Sequence, residues 1–114
     1  MQTISLDEIL LKQLNNELNT EDDWYNLCMN YILSEDIIEK YKDKVNWYYI
    51  SIYQKLSEQF IEKYKDKWDW YLISIHQNLS ELFIEKYQNK VDWICIFAYQ
   101  KLSDEFKEKY KWKL

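Results

Sequence analysis

The 114-residue chain is long enough for one small domain, and an apolar content of 47% with 18% aromatics supplies the material for a core. It contains no Gly and no Pro, so nothing offers an easy positive φ, a tight hairpin turn or a proline break, which argues against a β-sandwich or an α/β sheet and for helices joined by polar turns. Its fifteen basic residues are all Lys and its net charge is −5; without guanidinium forks, sequence-specific reading of nucleic acid is disfavoured.

The N-terminal stretch MQTISLDEILLKQ has acids where a secretory leader needs a basic start and an unbroken apolar run, and no segment approaches membrane-spanning length. A cytoplasmic protein that does not enter a membrane is expected. Ser5 and Glu8 have capping-box spacing and Ile4 and Ile9 have staple spacing, which predicts a helix over 5–18. A second helix, over 21–32, carries Asp23-Trp24-Tyr25, 23 residues ahead of Asn46-Trp47-Tyr48, and so belongs to a degenerate first copy of a repeat. Residues 1–36 carry a net charge of −7, with Glu21, Asp22 and Asp23 in one run, while the remainder carries +2. This acidic pole would attract a basic partner or would only aid solubility, and both readings stand.

Three segments then align without a gap: LSEDIIEKYKDKVNWYYISIYQK from Leu33, LSEQFIEKYKDKWDWYLISIHQN from Leu56 and LSELFIEKYQNKVDWICIFAYQK from Leu79, with a partial copy from Leu102. Each copy divides into two helices. The first follows an N-cap at Ser34, Ser57, Ser80 or Ser103, with staple pairs such as Leu33–Ile38. The second follows Asn46, Asp69 or Asp92, with staple pairs such as Val45–Ile50. Helices of roughly nine to eleven residues are expected, over 34–43, 46–55, 57–66, 69–78, 80–89, 92–101 and 103–113. The first of each pair is amphipathic and reads as an outer layer. The second, as in Trp47-Tyr48-Tyr49-Ile50-Ser51-Ile52-Tyr53, is apolar nearly all round and reads as an inner layer contacted on most sides.

Helices this short are marginal alone, so stacking of copies must hold them up. The expected fold is therefore all-α: a short right-handed α-solenoid of helix-turn-helix repeats, about nine helices in a single domain over 1–114. Residues 1–32 form an N-terminal capping repeat, 33–55, 56–78 and 79–101 the central repeats, and 102–114 a C-terminal capping helix. In that last helix Lys107 replaces Ile38, Ile61 and Ile84, leaving a polar face at the open end.

Trp24, Trp47, Trp70 and Trp93 recur once per copy, as do Gln54, Gln77 and Gln100. Positions held in every copy suit the contact that every interface needs, so the Trp set reads as repeat-to-repeat packing and the Gln amides as bonds to a neighbouring turn or to one another. Rows of Glu (39, 62, 85, 108) and Lys (40, 63, 86, 109) read as a solvated surface bridged between copies. By contrast Tyr53, His76 and Tyr99 share a position that varies, as do Tyr49, Leu72 and Cys95. Variation of this kind fits either a partner-facing surface or irregular core packing. Tyr49, Tyr53, Leu72, His76 and Tyr99, with Glu21, Asp22 and Asp23, are the candidate binding residues.

Cys28 and Cys95 lack metal or redox spacing and read as reduced core thiols. His76 has no Cys, Asp or Glu at ligand spacing, and no Ser is placed with it as a nucleophile, so no catalytic residue, metal or cofactor is expected.

The pattern LSExFIEKYxxKVxWxxISxxQx, over residues 33–111, resembles short Trp- and Tyr-rich tandem repeats of proteins from phages, giant viruses and AT-rich bacteria, and more loosely tetratricopeptide-type helix pairs. The resemblance carries little functional information; the regular caps, the aromatic second-helix positions that vary between copies and the lack of a catalytic set lead instead to the expectation of a non-enzymatic repeat scaffold that binds a macromolecule, most naturally a protein, as a monomer or homodimer. If the source is viral, the chain is similar in size and charge to phage inhibitors of host defence nucleases, including anti-CRISPR proteins, working in the host cytoplasm on a host defence protein. A single-stranded nucleic-acid binder using Lys rows and Tyr is the remaining alternative.

Overall fold

The computed structural model describes residues 4–5 and 20–114. Residues 6–18 of the expected first helix lie outside that set, together with Asp7, Glu8, Lys12 and Glu17. Among the described residues the fold is all-α and built of helical repeats. Its eight α-helices are α1 (Glu21–Asn30), α2 (Glu35–Lys40), α3 (Trp47–Tyr53), α4 (Glu58–Lys63), α5 (Trp70–His76), α6 (Glu81–Lys86), α7 (Trp93–Tyr99) and α8 (Asp104–Tyr110), followed by a 3-10 turn at Lys111–Lys113. One parallel pairing joins β1 (Ile4–Ser5) to β2 (Tyr31–Ile32), with Ile4 opposite Tyr31. Two-residue strands leave no alternating pattern to read, and the sequence did not announce them.

Every expected cap from Ser34 onward is formed. Ser34, Ser57, Ser80 and Ser103 accept the backbone N–H three residues on. Asn46, Asp69 and Asp92 start the Trp-led helices by accepting from Tyr48 and Tyr49, from Tyr71, and from Cys95. Helix α1 adds a full capping box between Thr20 and Asp23. Each such cap contributes about 1 kcal/mol by satisfying a donor that the helix cannot.

The central helices end sooner than expected, after six or seven residues. Tyr41, Tyr64 and Tyr87 leave helical geometry near φ −110°, ψ 30°. The carbonyls that a longer helix would have used then find other donors. Tyr41 O accepts from Lys44 N and Val45 N, and the indole N–H of Trp47, Trp70 and Trp93 donates to Lys42 O, Lys65 O and Gln88 O at 3.2, 3.0 and 2.9 Å. The Trp of the second helix thus closes the first helix of its own copy.

The chain forms two compact units, residues 1–56 and 57–114. In the first, α1 packs on α3, and Trp24, Leu27, Cys28, Ile38 and Ile50 are buried. Gln54, buried at the end of α3, donates from Nε2 to Cys28 O and Tyr31 O at 2.8 and 2.9 Å and accepts Leu33 N–H on Oε1 at 2.9 Å. Trp24 lies against Tyr41, 5.9 Å between ring centroids.

In the second unit α5 packs on α7, and Ile61, Ile73, Ile84 and Ile96 are wholly buried. Gln100 repeats the Gln54 pattern, with Nε2 donating to Ser74 O and Gln77 O and Oε1 accepting Leu79 N–H. Buried Ser74 donates to Trp70 O and accepts Asp92 N–H at 3.0 Å. Trp70 stacks on Tyr87 and Trp93 on Tyr110, with centroids 5.3 and 4.9 Å apart. Glu58 receives Ser80 and Glu81 receives Ser103 through the same pair of backbone and hydroxyl bonds, joining successive first helices.

The Trp-led helices depart from expectation in one respect, because they are not covered on most sides. Tyr48, Tyr71 and Ile94, the second residue of α3, α5 and α7, are 53%, 52% and 72% exposed. An apolar count along a helix shows what the helix carries; whether a neighbour covers each face depends on packing that the count does not contain.

Candidate interaction face

In the first unit the exposed side of α3 meets α1 in a cluster of four tyrosines. Tyr25 of α1 packs edge-on against Tyr49 and Tyr53 of α3, with centroids 4.6 and 5.8 Å apart, and Tyr48 stands edge-on to Tyr49 at 5.5 Å. The Tyr25 and Tyr53 hydroxyls lie 3.4 Å apart, a bond that pushes the Tyr53 phenol above its ordinary pKa. Tyr48 and Tyr53 are exposed and Tyr25 and Tyr49 half-buried, so the rings form a surface and not a core.

Glu21 borders this surface. Its carboxylate accepts Asn46 Nδ2 at 2.9 Å, and Asn46 Oδ1 in turn holds the backbone N–H groups of Tyr48 and Tyr49. Asp22 is exposed beside it, whereas Asp23 is half-buried and serves the Thr20 capping box. Of the sequence candidates, Tyr49, Tyr53 and Glu21 are therefore brought together, with Asp22 next to Glu21 in the chain. Tyr25 and Tyr48 were missed, although the signal existed: their position reads Tyr, Tyr, Tyr, Ile over successive copies.

In the second unit α5 and α7 expose Tyr71, His76, Ile94 and Tyr99. Leu72 does not join them. It is buried with Cys95, its counterpart one copy on, and belongs to the core. The Trp and Gln positions lie elsewhere: Trp24, Trp70 and Trp93 pack on tyrosines and the Gln54 and Gln100 amides bond to main chain, while Trp24, Gln54 and Gln77 are buried, and Trp47, Trp70, Trp93 and Gln100 half-buried.

The Trp-led helices α3, α5 and α7, unlike α1, carry no acid and no Lys, in a chain of which 31% is charged. Charge gathers instead on the Ser-capped helices, where Lys86 pairs with Glu62 at 2.9 Å and Lys109 with Glu85 at 2.7 Å, and Tyr110 Oη also donates to Glu85. These bonds, with that of Tyr87 to Glu62, hold the Glu62 and Glu85 carboxyls below their usual range. A shallow groove of about 540 Å³ lies there between α4 and α6, lined by Glu58, Glu62 and Phe83, but both carboxylates are already engaged.

Cys28 and Cys95 are buried thiols outside any disulfide; burial pushes Cys28 up to about 12, and burial with the Asp92 carboxylate raises Cys95. Among the described residues, no three of His, Cys, Asp and Glu converge as a metal site, and no helix is long and apolar enough to cross a membrane. Comparison with family models, with curated proteins and with solved structures gives no match.

Proposed function

We propose that the chain is a non-enzymatic repeat module that binds another protein through the uncharged side of its Trp-led helices. The observation that carries this reading is the set of exposed residues Tyr48, Tyr53, Tyr71, Ile94 and Tyr99 on helices that bear no Lys, Asp or Glu. Exposed aromatic and aliphatic residues on uncharged helices mark interaction surfaces, and Tyr suits them because it offers a large apolar body with a polar tip. The positions vary between copies while the Trp and Gln contacts do not, which separates residues that hold copies together from residues free to suit a partner. Two buried thiols outside any disulfide suit a reducing compartment such as the cytosol.

The test is affinity capture from source or host lysate with three immobilised chains: wild type, a face variant carrying Tyr71→Ser, Ile94→Ser and Tyr99→Ser, and a control carrying Leu82→Ser on α6. The reading expects one or a few proteins retained by wild type and control and lost from the face variant. Retention indifferent to the face variant, or no protein retained at all, overturns it.

A further inference from the structure

We propose that the tyrosine surface of the first unit seats a segment of the protein partner that carries Arg or Lys, with the cation against the rings and beside the Glu21 and Asp22 carboxylates. This deepens the protein-binding reading and rests on it. Two sets of four tyrosines, among the eleven of the chain, contrast with one another. Tyr41, Tyr64, Tyr87 and Tyr110 each have the ammonium of the preceding Lys over the ring, 5.3 to 5.8 Å from the centroid. Tyr25, Tyr48, Tyr49 and Tyr53 have none from any described residue, and the helices that carry them, α1 and α3, contain no Lys. Among the described residues no ammonium covers these rings, and the exposed ones, Tyr48 and Tyr53, offer a face to a cation from outside.

The bordering charge selects the same ligand. Glu21 stands one helical turn before Tyr25 and is tied by Asn46 to the start of α3, so its carboxylate is fixed where the ring cluster begins. A fixed carboxylate beside exposed rings, with a second acid next to it in the chain, attracts a guanidinium or ammonium and repels phosphate, which sets a nucleic acid or an anionic lipid surface against this site. Arg is the better fit, since its planar group stacks on a ring and still offers donors to a carboxylate.

The experiment follows anisotropy of short fluorescein-labelled Arg/Ser, Lys/Ser and Glu/Ser peptides titrated with the full chain. The Arg peptide is expected to bind most tightly, the Lys peptide less tightly, and the Glu peptide not at all. Tyr48→Ser with Tyr53→Ser should weaken Arg-peptide binding about tenfold. Glu21→Gln should weaken it several-fold and reduce its salt dependence, and Leu82→Ser should leave it unchanged. Circular dichroism checks each fold, and Glu21→Gln, a surface change, keeps the test open if the double Tyr variant unfolds. Failure of wild type to bind the Arg peptide overturns the proposal, as does binding that ignores the tyrosine changes or treats the Glu peptide alike. So does light scattering that shows a dimer lost in the tyrosine variant, because the face would then be covered by a second copy. If the Arg peptide fails while the face variant still abolishes capture, only this inference falls; if both fail, the protein-binding reading falls with it.

Discussion

The side-chain amide of Gln100 accepts the backbone N–H of Leu79 at 3.0 Å while donating to two carbonyls of the preceding copy, Ser74 O and Gln77 O. One side chain thus satisfies three main-chain groups that no helix or strand ladder serves. Replacement by Met removes all three bonds and leaves the groups enclosed without partners, which predicts a loss of about 2–4 kcal/mol in urea unfolding. Gln100→Glu keeps the acceptor for Leu79 but sets a carboxylate against two carbonyls. Its stability should recover as pH falls and the acid becomes a donor, a trend visible in melting curves.

The wholly buried Ile row makes a second, sharper prediction. Ile73 is closed on every side. Ile73→Ala should cost about 2–5 kcal/mol and Ile73→Val about 1 kcal/mol, read from the same denaturant curves. Tyr71→Ser, two residues away but half exposed, should cost far less, and equal losses would mean that the exposed face is covered.

How far the fold and face were legible depends on what a residue needs in order to act. Caps act on backbone within three positions, so Ser34, Asn46, Asp69 and their counterparts could be read from spacing alone, and Thr20 with Asp23 had the same readable spacing. Helix ends were less legible because they depend on the Trp47, Trp70 and Trp93 indoles returning to a carbonyl five residues back. The face was legible in part. Variation between copies marked Tyr53, His76 and Tyr99, but the same cue marked Leu72, and only packing separates a residue that varies because it fills a core from one that varies in solvent.

The Glu62 and Glu85 carboxyls are depressed, and the partner groups of Lys86, Lys109, Tyr87 and Tyr110 are raised. A depressed carboxyl contributes stability above its unfolded value near 4.5 and loses it as pH falls through the folded value. Raised Tyr and Lys groups contribute below their unfolded values of 10.0 and 10.5 and lose it as pH rises through the folded ones. The melting temperature should therefore hold a plateau between these limits and fall on both sides. In Glu62→Gln with Glu85→Gln the plateau should be lower and the acid limb flatter, so an unaltered acid limb would show that these pairs add nothing.

With its thiol near 12, Cys28 should have about one part in ten thousand as thiolate near pH 8. Labelling by a disulfide reagent should be negligible in the native chain at both Cys28 and Cys95 and immediate in denaturant. Fast native labelling would show that the core opens at those positions.

The Gln54 and Gln100 amides grip main-chain atoms, which are the same whatever residue supplies them. Adhesion between adjoining copies is in this respect indifferent to the lettering of the exposed stripe. A gene could duplicate a 23-residue block, or redraft its Tyr, His and Ile letters to follow a changing target, without renegotiating these bonds.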